Sequence, residues 1–221
     1  MSAPEHADTG RAASGDPMRK LYDLVDQYDA ASPEDAPPIE AEIWRNYGLD
    51  RAILVLDMSG FSRMTRRFGI VHYLAMVRRM QTTTRPLVEA FQGEIVKYEA
   101  DNLFAVFAEP GQAVRCAMAI VERFESGNAW TPDERDIHVS IGLSWGRILH
   151  VPDQDFFGNA VNIASKLGED LADSREVLVD DDLFQQLPGG MAGLSFEPME
   201  FSVSGLALKA WKVRSLVSHS A

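Results

Sequence analysis

The stretch EIVKYEADNLFAVFA, Glu94–Ala108, decides how the rest of the chain is read. Two apolar segments flank a short polar tip, the pattern of two strands joined by a tight turn. Asp-Asn at that tip suits a turn residue with positive φ. The turn carries a carboxylate, Asp101, and the first strand carries a cation, Lys97, four residues earlier.

Upstream, AILVLD (Ala52–Asp57) is a short, nearly continuous apolar run, suited to a buried strand. SGFSRMTRRFG and IVHYLAMVRRMQTTTRPLVEAFQG read as helical, with Pro86 marking a kink or break. Downstream, GQAVRCAMAIVERFESG repeats apolar residues at Ala113, Ala117, Ile120 and Phe124, as an amphipathic helix does. IHVSIGLSWGRILHV gives one or two strands. NAVNIASKLGEDLA is helical, with Val161, Ala164, Leu167 and Leu171 on one stripe, and EVLVD, GLSFEPM and LKAWKV supply further strands. The order describes an α+β fold, a ferredoxin-like βαββαβ sandwich with helices on one face of a largely antiparallel sheet. That fold hosts many functions, so the order alone assigns none.

Residues 1–17 are small, polar and Gly/Pro-bearing, and read as disordered. MRKLYDLVDQYDAA places Leu21, Leu24, Val25 and Tyr28 on one helical face; SPEDAPP breaks the pattern, and a short helix follows in IEAEIWRNYG. Residues 18–50 therefore form a helical extension and linker, the main domain covers 51–215, and 216–221 is a tail. In 221 residues with 46% hydrophobic content there is enough for a real core. The net charge of −12 argues against nucleic acid or an anionic membrane as partner, so a phosphate-bearing substrate needs a local cationic site or metal ions. No apolar run approaches the ~20 residues of a membrane span, and the start lacks the order of a secretory signal. The single cysteine, Cys116, excludes an intrachain disulfide and reads as a packed core thiol. Together these features point to a soluble cytoplasmic protein. The five histidines show no metal-ligand spacing.

Asp57 closes the strand AILVLD. If that strand neighbours the hairpin, Asp57 and Asp101 reach the same sheet edge. Two such acids suit a hard divalent cation, with phosphate oxygens and water completing the shell. SGFS follows Asp57 directly: Gly60 lets the backbone approach a ligand, and the helix that begins there offers free N–H groups to phosphate. Asp is also common at turns, and the SGFS segment equally suits a plain helix start.

Three blocks, LVLDMSGFSRM, GEIVKYEADNLFAVF and DFFGNAVNIASKLGE, with IHVSIGLSWG between the second and third, resemble the catalytic domain of class III nucleotidyl cyclases, the adenylate and guanylate cyclases. The resemblance runs from about Arg51 to Val213. It implies a ferredoxin-like fold and a head-to-tail homodimer with active sites at the interface. It implies two metal ions per site, Mg²⁺ or Mn²⁺, held by Asp57 and Asp101. Gly60, Phe61 and Ser62 match the segment that meets the phosphates. Lys97 and Asp155 match the base-recognition pair, supplied by the other chain of the dimer. Asn162 matches the asparagine that orients the ribose. Lys166 stands where an arginine usually stabilises the transition-state phosphate, and lysine keeps the charge but loses the bidentate fork. Lys166 also sits at helical spacing from Asp170, which offers a surface pairing instead.

The family's adenylate cyclases carry Lys/Asp, so the resemblance favours ATP, converted to 3′,5′-cyclic AMP and pyrophosphate. GTP or a pyrimidine triphosphate, and a silent nucleotide-binding or dimerisation module, stand as alternatives. Four departures bear on them: Lys166 itself; the short Gly146–Asp155 segment, which trims the dimer arm; Ser204 and Leu206 around Gly205, where a phosphate-binding lysine often stands and for which Lys209 or Lys212 are candidates; and Ala100, where glycine often precedes the second acid.

Overall fold

A computed structural model describes residues 16–187, 189–203 and 206–216, with Phe61, Ser62, Arg63, Val203 and Leu206 described by backbone alone. Ser204, Gly205 and most of the stretches 1–17 and 216–221 lie outside the described residues. The chain divides into two compact units, Met1–Asn46 and Tyr47–Ala221.

The first unit holds α1 (Pro17–Ala30), capped by the Asp16 carboxylate, which accepts from the Met18 N–H at 3.2 Å, and nearly all of α2 (Ala36–Tyr47). Of the apolar face expected on α1, Leu21 is buried, whereas Val25 and Tyr28 are exposed.

The second unit is built on an eight-stranded sheet of order β2-β3-β1-β4-β6-β8-β7, with β5 added on β4. Its strands are β1 (Gly48–Met58), β2 (Gly93–Glu99), β3 (Asn102–Phe107), β4 (Val139–Val151), β5 (Asp155–Phe157), β6 (Val177–Asp180), β7 (Leu194–Val203) and β8 (Leu206–Ser215). The β4-β1-β3-β2 half, with its crossover helices, is the expected ferredoxin-like unit. Every pairing is antiparallel except β4 with β6.

Helices α3 (Phe61–Phe68) and α4 (Ile70–Ala90) connect β1 to β2, α5 (Pro110–Asn128) connects β3 to β4, α6 (Asn159–Ser165) follows β5, and α7 (Asp181–Gln185) follows β6. Pro86 lies inside α4, which continues to Ala90 rather than breaking. The predicted stripe on α5 is buried in full, and Cys116 beside it is a packed thiol that burial pushes up to a pKa of about 12.

The expectation of helices on one sheet face is corrected. Ala52, Leu54 and Leu56 of β1 pack with α4 and α5, while Ile53 and Val55 pack on the opposite face with Ala160 and Ala164 of α6. A strand covered on both faces needs apolar residues at every position, which is why AILVL runs without alternation.

The helical pattern from Asn159 to Leu171 changes form halfway: Lys166–Leu171 is π-helical. The backbone lies flat on the sheet there. A Cβ at Gly142 would stand 2.1 Å from the Ala164 carbonyl oxygen and 2.4 Å from the Gly168 nitrogen, and a Cβ at Gly168 would stand 2.7 Å from the Val55 carbonyl oxygen. Only paired glycines allow that approach.

In the hairpin, Glu99 pairs with Asn102, leaving Ala100 and Asp101 as a two-residue turn. The positive φ expected at Asp101 or Asn102 falls on Ala100 instead (φ 51°). A positive φ at a turn residue favours glycine, which has no Cβ to clash. Alanine in the left-handed region costs about 1–2 kcal/mol, partly offset by the extra freedom glycine has when unfolded. Ala100→Gly is therefore expected to stabilise the domain by about 1 kcal/mol, raising Tm by ~2–4 °C in a thermal melt; an unchanged or lower Tm would contradict the strain.

Candidate active site

Asp57 and Asp101 meet because of strand register. Leu56 of β1 pairs with Leu103 of β3, so one step further Asp57 faces Asn102, next to Asp101 in the turn. On its other side Asp57 pairs with Ser140 of β4. The following loop is pinned to the same strand end by Ser59 N–H, which donates to the His138 carbonyl at 2.9 Å. Gly60, at φ 83°, turns the chain into α3, and a side chain there would meet nothing within 4 Å, so the space above it is open. The side chains of Phe61 and Ser62 lie outside the described residues.

The two carboxylates also act on each other electrostatically. Asp57 is half-buried, and burial, then the charges of Asp101, Glu169 and Asp170, push its pKa from 3.8 up to about 7. Asp101 is also raised by burial, against a backbone hydrogen bond and the Tyr73 hydroxyl, which donates to it from α4. Glu169 is raised by burial, then by Asp170, with smaller contributions from Glu99 and Asp101 against a hydrogen bond from Ser165. The sequence pointed to two of these acids. Glu169, Asp170 and the tyrosine donor were missed; the one signal for Tyr73 was a polar tip on an otherwise apolar helix face.

This environment fits divalent cations. Its donors are all oxygens. The Asn102 Oδ1, in register with Asp57, is buried without a hydrogen-bond partner. Among the described residues no set of three acids, histidines or cysteines is arranged to hold an ion by itself. Two carboxylates that leave room for phosphate oxygens and water are the arrangement Mg²⁺ tolerates best.

Lys97 and Asp155, expected to act together, are in contact. Lys97 Nζ lies 3.2 Å from Asp155 Oδ1 and also 3.1 Å from Glu99 Oε2, over the Phe104 ring with the centroid 5.2 Å away. Burial lowers the lysine pKa, but the two carboxylates outweigh it and the net shift is upward. Asp155 is fixed by the Phe156 N–H, which donates to Oδ1 at 2.9 Å. It opens β5 after a short turn with Asp153 at φ 59°, so the trimmed Gly146–Asp155 segment is a tight hairpin.

Asn162 is exposed on α6, and Lys166 begins the π-helical turn. Lys166 Nζ is 2.6 Å from Asp170 Oδ2, so the surface pairing weighed from the sequence is formed. Of the two stand-ins for the terminal-phosphate lysine, Lys212 is bound to Glu176, and Lys209 is exposed on β8. No helix among the described residues is long and apolar enough to cross a membrane.

No protein-family model matches the chain. It is 32% identical over 138 residues to "Putative adenylate cyclase 3" of Rhizobium meliloti, covering 62% of this chain and 23% of that protein. It is 30% identical over 141 residues to the adenylate cyclase of Streptomyces coelicolor, covering 63% of this chain and 35% of that one. The chain thus spans about a quarter to a third of the length of these relatives. The adenylate/guanylate cyclase/hydrolase of Silicibacter pomeroyi superposes with a TM-score of 0.63 at 26% identity, covering 77% of this chain and 99% of that structure. The resemblance to class III nucleotidyl cyclase catalytic domains holds in sequence and in fold.

The folded-state pKa of Asp57, about 7, lies above its ordinary 3.8, so the folded chain holds a proton there that the unfolded chain has released. The stability tied to that proton is present near pH 4 and lost as pH rises through 7. Without added metal, Asp57→Asn is expected to melt higher than the unaltered chain at about pH 8, with the gap closing toward about pH 4; equal Tm values at both pH values would contradict the assignment.

Proposed function

We propose that this chain is an adenylate cyclase, converting ATP to 3′,5′-cyclic AMP and pyrophosphate as a homodimer, with Mg²⁺ or Mn²⁺ held by Asp57 and Asp101. Residues 51–215 form its catalytic domain, with 18–50 a helical extension, and the reading implies a cytoplasmic location, where ATP is abundant. The observation that carries it is the convergence of two half-buried carboxylates, Asp57 and Asp101, at one sheet edge.

The ribose 3′-oxygen bonds to the α-phosphorus, the bond from that phosphorus to the bridging oxygen breaks, pyrophosphate leaves with the oxygen, and the 3′-hydroxyl proton passes to solvent water. Bound cations supply polarisation of that hydroxyl and neutralise phosphate charge. The protein's own work is placement, because the attack is intramolecular. The Gly60 turn and the first N–H groups of α3, those of Phe61 and Ser62 among them, face the phosphates. Asn162 orients the ribose, and Lys166, on leaving Asp170, offsets charge developing on the phosphoryl oxygens.

The base reading rests on Asp155. Its Oδ1 already accepts from Lys97 and from the Phe156 N–H, which leaves Oδ2 as the acceptor for a nucleobase. Adenine offers one amino donor beside an acceptor nitrogen, matching one carboxylate oxygen beside one lysine N–H. Guanine offers a similar acceptor and donor in O6 and N1–H, so the pair reads either purine, and the preference for ATP rests on the Lys/Asp pattern of the family's adenylate cyclases. The relatives' names agree with ATP. Among the structural neighbours, one guanylyl cyclase domain, from Catenaria anguillulae (TM-score 0.64, 16% identity), is described in complex with GTP.

One observation favours a second reading, a nucleotide-binding module without turnover: Lys166 is held by Asp170 at 2.6 Å. Incubating the full chain with ATP, GTP, CTP and UTP, each with Mg²⁺ or Mn²⁺, separates the readings. Cyclic AMP as main product supports the cyclase; bound nucleotide with no cyclic product supports the silent module. Asp101→Asn should lower turnover at least ~100-fold while leaving the fold intact, the scale of losing an electrostatic anchor. Sites shared between copies predict that a dead Lys97→Ala chain mixed with a dead Asp57→Ala chain regains activity. A mixture that forms heterodimers and stays dead rules sharing out.

A further inference from the structure

The Lys97 ammonium is held from two sides, and only one side belongs to the expected base-recognition pair. Asp155 Oδ1 lies 3.2 Å from Nζ; Glu99 Oε2 lies closer, at 3.1 Å, although its side chain is 68% exposed. Lysine has a flexible four-carbon stem and three N–H donors. With two donors on Glu99 and Asp155 and the ammonium lying over the Phe104 ring, 5.2 Å from its centroid, one N–H remains, and its direction is set by the other two. The backbone of Glu99 is fixed for this: it is the last residue of β2, paired with Asn102 across the Ala100–Asp101 turn.

We infer that Glu99 is a third member of the base-recognition group, a positioning residue that fixes the Lys97 ammonium so that its remaining N–H meets an acceptor nitrogen of a purine. This rests on the nucleotide-binding reading above and goes beyond it, since neither the turn nor the acid pair requires an acid at position 99. Substrate does not displace Glu99: the ammonium holds Glu99, Asp155 and the base at once. The same strand end carries Asp101, so one tight turn fixes both a cation-binding carboxylate and the orientation of the base-reading lysine.

The test compares ATP with 1-deaza-ATP, in which the adenine N1 acceptor is replaced by C–H. KM, kcat and equilibrium binding are measured on the full chain, unaltered and as Glu99→Gln and Glu99→Leu, with thermal melts to confirm folding. The unaltered chain is expected to prefer ATP. Glu99→Leu should raise KM and Kd for ATP roughly three- to fivefold, the scale of one exposed ion pair, with little effect on the deaza analogue and less than about twofold on kcat. Glu99→Gln, which keeps an acceptor oxygen, should fall between. Equal weakening of both nucleotides, an unchanged or enlarged preference, or no preference in the unaltered chain would overturn the inference. Absence of cyclic product overturns the cyclase reading alone, because the binding ratios still decide the role of Glu99; failure of the unaltered chain to bind either nucleotide overturns both.

Discussion

Two carboxylates that repel each other are kept at neighbouring strand ends, and the surrounding fold is what holds them there. Left to solvent, Asp57 and Asp101 would ionise and separate. The β1–β3 register forbids separation, and partial burial together with Glu169 and Asp170 makes ionisation of Asp57 unfavourable, so its pKa rises to about 7. Under the proposed function a divalent cation would relieve this repulsion, since it brings positive charge and takes oxygen ligands of the kind the site offers. Such stored electrostatic tension lowers stability in the free protein and is common where function demands it.

The same register organises a second cluster, around Lys97, which in a dimer with shared sites serves the partner's acids. Lys97 of β2 pairs with Phe104 of β3, and Asp155 of β5 is brought beside it by the β4–β5 hairpin. Acids and lysine therefore share one curved sheet, with Glu99 and the Ala100 turn as the joint between them. On the face that packs α6, the glycine contact between Gly142 and Gly168 lets the π-helical turn settle on β1 and β4. This places Glu169 and Asp170 close enough to raise the Asp57 pKa, and Lys166 at the start of the same turn.

Much of this was legible in the residues. The unbroken AILVL run, the hairpin around Asp101 and the stripe on α5 gave the ferredoxin-like half, and the Asp57–Asp101 convergence followed from placing those strands side by side. The contact between Lys97 and Asp155 did not follow from spacing; resemblance supplied it, because 57 intervening residues carry no local periodicity that links them. Periodicity also could not say which face of the sheet α6 covers, since a stripe of Val161, Ala164 and Leu167 fits either. The π-helical turn escaped because an i,i+4 pattern looks the same until backbone contacts at Gly142 widen it. The positive φ at Ala100 escaped because alanine gives no warning of it. The Lys166–Asp170 pair was visible at helical spacing, and spacing alone could not rank it against a role at the phosphate.

The central claim is that burial and the neighbouring carboxylates raise the Asp57 pKa to about 7 in the metal-free chain. Labelling the aspartate carboxyl carbons with ¹³C and following the Asp57 signal by NMR across pH tests it directly, with Asp57→Asn fixing the assignment. The account predicts a midpoint near 7 in the metal-free chain, falling into the ordinary carboxylate range when Mg²⁺ and a non-reacting ATP analogue are added. A midpoint near 4 without metal, or one that Mg²⁺ and nucleotide leave unmoved, would contradict it.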